Sequence, residues 1–174
     1  MSSVPDRVVL RRDRDLAGRR HEIWIRRGFV AVLAVVPILA LFNLFGQRPE
    51  TLTATAPAAT LQVEAPGRVR GGLLWQARFR IFARATLNRA TLILDPGWLE
   101  GQSVNTIEPS PVNETSNDGR LSLDLGTIDA GHTFALYMQF QTIPTNVGHR
   151  AASVSLVANG RQVLRVRRSI TIFP

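Results

Sequence analysis

Two kinds of hydrophobic patterning divide the chain. Residues 28–46 read GFVAVLAVVPILALFNLFG, apolar on every side and without a charge. At about 1.5 Å rise per residue such a helix spans about 28 Å, the depth of a hydrocarbon core, so the pattern predicts a transmembrane helix. Beyond residue 60 no segment keeps an apolar period of 3.6, whereas period-two alternation recurs between turn signals. In residues 73–83, Leu73, Trp75, Ala77, Phe79 and Ile81 point one way while Gln76, Arg78 and Arg80 point the other, as in a sheet with one wet face. Phe134, Leu136, Met138 and Phe140 repeat that pattern.

Residues 153–158 and 162–172 flank Asn159-Gly160, a pair suited to the two positive-φ positions of a type I′ hairpin turn. Shorter strands are expected at 61–64, 90–94, 103–108 and 121–125, punctuated by Pro66-Gly67, Pro96-Gly97, Asn117-Asp118-Gly119 and Ala130-Gly131. The expected fold class is therefore all-β: a single immunoglobulin-like two-sheet sandwich of roughly seven to eight strands, preceded by one transmembrane α-helix. A small barrel is the alternative.

The stretch LSLDLGTIDAG at 121–131, followed by the alternating strand 134–140 and a closing hairpin, resembles the L-x-L-G-x-L-x-x-G signature of bacterial immunoglobulin-like, loosely fibronectin-like "conserved repeat" surface modules. The resemblance covers about the last fifty residues and implies a sandwich fold and a non-catalytic role. Those modules usually occur in tandem, and this chain carries one copy. Locally, Gly126 is expected to bend the chain out of one sheet, and Asp129 to Gly131 to form the turn that starts the next strand.

Charge orients the expected membrane segment. Residues 1–27 hold eight Arg against Asp6, Asp13, Asp15 and Glu22, whereas residues 47–60 carry only Arg48 and Glu50. The basic excess predicts a cytoplasmic N-terminus and an exported remainder, in the cytoplasmic (inner) membrane of a bacterium. Trp24, Arg26 and Arg27 read as a headgroup-level anchor, Pro37 as a kink, and Asn43 as an interfacial residue near the far end. A cleaved signal peptide competes with this reading, since Ala54-Thr55-Ala56 resembles a cleavage site. The long flank, the long apolar core and Pro57 in the first mature position oppose it. The expected organisation is a basic tail at 1–27, the helix at 28–46, a Thr/Ala/Pro-rich stalk at 47–60 and a β-sandwich at 61–174. Part of the stalk, near residues 51–55, is an alternative edge strand.

Composition then narrows the chemistry. The 174 residues include no Cys, which excludes disulfides, thiolate metal sites and cysteine nucleophiles. His132 and His149 are the only imidazoles in the expected exported part. Asp129 and His132 invite an Asp-His-Ser relay, yet no nucleophile elbow accompanies them. The run NETSNDG at 113–119 has its glycine in the wrong place for a calcium loop and reads as a polar hairpin turn. No cofactor is expected.

Arg78 and Arg80 share one strand face, and Arg165 and Arg167 share another near the end of the chain. Merged into one patch, such guanidinium forks would suit anionic lipid or wall polymer. Trp98 and Leu99, flanked by Gly97 and Gly101, suggest a partner-binding knob or a plug over the end of the sandwich. Nucleic acid is not expected, because strand aromatics lie on the apolar faces instead of between the arginines. The expected function is a membrane-anchored, non-enzymatic binding or scaffolding protein, an accessory subunit docked to an integral-membrane partner. An Arg-face module for anionic polymer or lipid and a hydrolase around His132 are the alternatives.

Overall fold

The computed structural model describes residues 20–41 and 47–174, which fall into two units divided near residue 45. The first contains one helix, α1 (Arg20–Leu41). Its segment Ile23–Leu41 is long and apolar enough to cross a membrane, and none of it is buried. Residues 20–27 are already helical ahead of the apolar run: arginine, glutamate and isoleucine are adequate helix formers, so charge marks a hydrophobic boundary without ending the helix. Pro37 lies inside α1. Asn43 and the rest of the expected span, residues 42–46, lie outside the described residues.

The second unit is an immunoglobulin-like β-sandwich. Thirteen strands form among the described residues, more than expected. They are β1 (Pro49–Thr55), β2 (Ala59–Pro66), β3 (Arg68–Arg70), β4 (Leu74–Ala83), β5 (Leu87–Leu94), β6 (Gln102–Glu108) and β7 (Asn113–Asn117), then β8 (Arg120–Ile128), β9 (Thr133–Thr142), β10 (Gly148–Ala151), β11 (Val154–Ala158), β12 (Arg161–Val166) and β13 (Ser169–Phe173). One five-stranded sheet has the order β1-β2-β4-β9-β6 and the other β12-β11-β5-β8-β7; β10-β13-β3 forms a small third sheet. All pairs are antiparallel except β13 with β3.

The alternation read from the sequence is the one observed. On β4 the residues Trp75, Ala77, Phe79, Ile81 and Ala83 are buried, and on β9 so are Leu136, Met138 and Phe140. They meet Leu92 and Leu94 of β5, Leu121 and Leu123 of β8, and Leu156 of β11 in one continuous core. Leu73 departs from the pattern: it precedes β4 and is about half exposed.

Two turns have their strand-connecting geometry written in the residues. Asn159 (φ 51°) and Gly160 (φ 73°) join β11 to β12, and Asp118 (φ 49°) and Gly119 (φ 71°) join β7 to β8. Both central residues of each turn have the positive φ that matches the twist of the flanking strands. The polar run at 113–119 is thus a strand and a turn, with β7 exposed along its whole length.

Three expectations are corrected. The stalk is not a free spacer over 49–55: these residues form β1, paired with β2 from Pro49↔Pro66 to Thr55↔Thr60. The β-branched Thr51, Thr53 and Thr55 suit an edge strand that packs one side only, and Leu52 and Ala54 supply its apolar contacts. The expected long last strand is two, because Arg167 and Arg168 break it and send β12 and β13 to different sheets. Gly126 (φ 73°) bends β8 without leaving its sheet, accommodating a bulge opposite Ala90 and Thr91, with its N–H donating to Asp124 Oδ1 at 2.9 Å. The crossing between sheets comes at the turn from Asp129 to His132, which leads into β9.

Candidate interaction surfaces

Asp95 follows β5 and caps a short 3-10 turn, Pro96–Trp98. Proline suits the first position of that turn, and Gly97 lets it lie against the neighbouring backbone. A Cβ on Gly97 would fall 2.2 Å from the Ala151 carbonyl oxygen. The close approach seats Trp98 inside the sandwich at 1% exposure, with its indole N–H donating to the Ala152 carbonyl at 2.8 Å. Its ring centroid lies 5.3 Å from that of Phe79, 5.5 Å from Phe140 and 5.8 Å from Trp75. The expected partner-binding knob is therefore corrected. Trp98 is core, and Leu99 packs against the same core. Of the flanking glycines that suggested an exposed loop, Gly97 lets backbone approach backbone, and Gly101 (φ 64°) makes room for the Asn146 side chain.

Arg168 covers the outer side of this aromatic group, its guanidinium 4.7 Å from the Trp98 ring centroid. Nη2 donates to the Pro66 carbonyl at 2.8 Å, while Nη1 is buried without a hydrogen-bond partner. Burial lowers its pKa from the ordinary arginine value to about 10, opposed by the nearby Glu50 carboxylate. Sequence reading passed over this residue, although a pair of arginines interrupting an alternating strand was visible.

The arginines singled out by sequence do not form one patch. Arg78 and Arg80 lie on β4, in the β1-β2-β4-β9-β6 sheet, and Arg165 lies on β12 of the opposing sheet. With the core between the two sheets, their outward residues face opposite ways. Arg167 sits in the link after β12 and is exposed. Arg78 is drawn down onto its sheet by Glu64 of β2 at 3.4 Å and by the Tyr137 ring of β9, 5.0 Å away. Those partners oppose it directly in the strand register. Arg80, two residues on, faces Gln62 and Ala135 and is exposed.

A cleft of about 240 Å³ beside Arg78 is lined by Gln47, Pro49, Glu64, Pro66, Trp75 and Gln76. On the opposite outer face a cleft of about 300 Å³ includes Asp95, Asp118, Arg120, Ser122, Gln162 and Arg165. Asp95 organises it, accepting from Arg165 and pairing with Arg120 at 3.7 Å. Both clefts are open, mixed in polarity and bounded by paired charges, which suits contact with another protein surface more than enclosure of an apolar ligand.

The residues that suggested catalysis stay apart. His132 Nδ1 lies 3.4 Å from the Ala130 carbonyl, and the contact between His132 and Asp129 is a backbone hydrogen bond. His149 Nδ1 meets Thr171 Oγ1 at 3.0 Å. Among the described residues no group of three His, Asp or Glu side chains is placed to hold a metal ion.

On α1, Trp24 is 70% exposed and the Arg27 guanidinium lies 5.5 Å from its ring centroid, with Arg26 exposed beside it.

These features define an immunoglobulin-like β-sandwich module carrying an N-terminal apolar helix. No protein-family model and no curated protein sequence matches the chain. Solved structures resemble it in fold. AvmM, described as catalysing macrocyclization in alchivemycin A biosynthesis, is 7% identical, with 68% of this chain and 90% of that chain aligned at a TM-score of 0.48. A non-cellulosomal cohesin from the archaeon Archaeoglobus fulgidus is 13% identical over 73% of this chain and 92% of its own, at 0.41. A cohesin module of a Clostridium perfringens family 33 glycoside hydrolase is 15% identical over 71% and 98%, at 0.38. At these scores and identities no residue role or activity passes from them to this chain.

Proposed function

We propose that this protein is a single-pass, membrane-anchored binding or scaffolding module, an accessory subunit that holds its sandwich on the outer side of a bacterial cytoplasmic membrane. The observation that carries this reading is the contrast between a helix whose apolar surface is wholly uncovered and a sandwich with a complete core of its own. An uncovered apolar helix needs lipid or another helix around it. The resemblance to "conserved repeat" surface modules agrees with a role outside the cell, and the basic N-terminal residues set the orientation. The work of such a subunit is geometric: it binds by sheet faces and edges. The paired clefts around Asp95 and Arg78 are the surfaces offered for a protein partner.

The test is carbonate extraction and protease accessibility in spheroplasts, followed by mild detergent isolation of the full chain. Retention in the membrane pellet, digestion of the sandwich from outside and recovery of a stoichiometric integral-membrane protein are expected. Release by carbonate, or protection of the sandwich until the membrane is breached, would overturn the reading. An Arg-face polymer-binding module would lose its ligand steeply with added salt, and Arg78 and Arg165 are already paired with carboxylates, which weighs against it.

A further inference from the structure

The sandwich hides its large apolar side chains well, and the exceptions cluster. Seven large hydrophobic residues of the second unit are exposed: Leu73, Leu74, Phe82, Val112, Ile143, Val147 and Phe173. Five of these, all but Phe82 and Val112, gather at one end. Backbone hydrogen bonds tie that end together. Gly71 N–H donates to the Phe173 carbonyl at 2.7 Å, Gly72 N–H to Thr142 at 2.9 Å, and Thr142 N–H to Leu73 at 3.2 Å. Ile143 N–H donates to Gly101 at 3.0 Å, and Gly148, next to Val147, pairs with Ile172. Leu74 opens β4 opposite Gln141, near the end of β9. Phe82 lies at the other end of β4, opposite Thr60 and Thr133.

The same end is where the chain enters the sandwich. Pro49 opens β1 opposite Pro66, the last residue of β2, and Pro66 leads through Arg68 and Arg70 to Gly71 and Leu73. Covalent reach bounds the distance from α1 for any arrangement of the two units. From Leu41 to Pro49 the chain extends at most about 30 Å.

Arg68 and Arg70 flank the apolar residues. On β3 they alternate with buried Val69, so both point outward and both are exposed. Arginine heads beside half-exposed leucine, isoleucine, valine and phenylalanine match a phospholipid interface, where acyl and glycerol regions take the apolar groups and phosphates take the guanidinium.

Resting on the anchor reading above, we propose that this end of the sandwich, with Leu73, Leu74, Ile143, Val147 and Phe173 ringed by Arg68 and Arg70, is a second membrane contact that lies on anionic phospholipid headgroups. The domain is then held by two attachments, a spanning helix and an interfacial end, which fixes its tilt as well as its height.

The chain contains no cysteine, so single-cysteine labelling is unambiguous. Full-length protein carrying Ile143→Cys, Leu74→Cys, Phe82→Cys or Leu33→Cys is labelled with an environment-sensitive dye. It is reconstituted in protein-free vesicles of phosphatidylcholine with phosphatidylglycerol, and quenched by headgroup-region nitroxide lipids or by aqueous iodide. The expected result is several-fold stronger lipid quenching and weaker iodide quenching at 143 and 74 than at 82, reduced by the double change Arg68→Glu, Arg70→Glu. Equal iodide access at 143 and 82 while Leu33→Cys is shielded overturns this inference and leaves the anchor reading standing. Iodide access at 33 as well overturns both. Shielding of 143 in native membranes but not in vesicles overturns it in favour of a protein partner.

Discussion

The helix and the sandwich use the same apolar residues in opposite ways. Val32, Leu33 and Val36 of α1 face outward with nothing against them, whereas Val154, Leu123 and Leu136 of the sandwich are sealed from solvent. The difference lies in spacing. An unbroken run has no polar side to turn toward water, while strict alternation gives every strand one wet and one dry face. Each unit therefore names its own solvent, and a substitution that is costly in one has little effect on the other.

Phe79→Ala breaks the sandwich side of this contrast most severely. The ring is fully buried beside Trp98, and its loss removes about 3–5 kcal/mol of folding free energy. Urea unfolding followed by tryptophan fluorescence reads this, with carbonate resistance unchanged. Val32→Arg does the reverse. Arginine near the centre of the span carries an insertion cost of about 2.5–3.5 kcal/mol, so the carbonate-resistant fraction falls while the urea midpoint of the sandwich stays put.

Arg168 sharpens the comparison, because it is a cation in surroundings nearly as poor in water as the helix expects. Its pKa of about 10 leaves it charged at neutral pH in folded and unfolded chains alike. In Arg168→Lys the unfolded ammonium titrates at about 10.4, and the same burial holds the folded one below that value. The folded chain then loses its proton first, so stability is lowest at neutral pH, where both forms are charged, and rises with pH up to about 10.4. Urea midpoints at pH 7 and pH 10 should differ in that direction for the variant, and by less for the native arginine, whose rise starts only near pH 10. The smallest effect is expected from Arg165→Ala. It opens an exposed pair with Asp95 and costs about 1 kcal/mol or less, shrinking further with added salt.

What could be read in advance followed from how strongly each segment contrasts its two faces. β4 and β9 alternate large apolar with polar residues and were legible, as was the Asn159-Gly160 turn, whose chemistry is local. β1 reads as stalk, with an edge strand near 51–55 only as the alternative, and β7 as part of a turn. One buries little beyond Leu52 and Ala54 and the other nothing, so neither leaves a hydrophobic signature; backbone pairing alone holds β7. Trp98 reads as either an exposed knob or a plug over the sandwich for a different reason. Pro96-Gly97 signals a turn correctly but says nothing of whether that turn faces solvent, and the Ala151 backbone that receives it lies far away in sequence. The arginine pairs failed in the same way: a strand shows which face a residue takes, but the partner sheet decides where that face points.

β1 has a mechanical meaning. It is the first strand after the helix, paired to β2 along its whole length, and its N-terminal residue lies at the end where the chain enters. Tension transmitted through the polypeptide at Gln47, against a grip on the far end of the domain, acts parallel to the strand axis. The ladder bonds run across that axis and must then slide together instead of opening one after another. A strand attached this way resists pulling in shear, so the module is suited to carrying load between whatever grips its far end and the segment that leads into it.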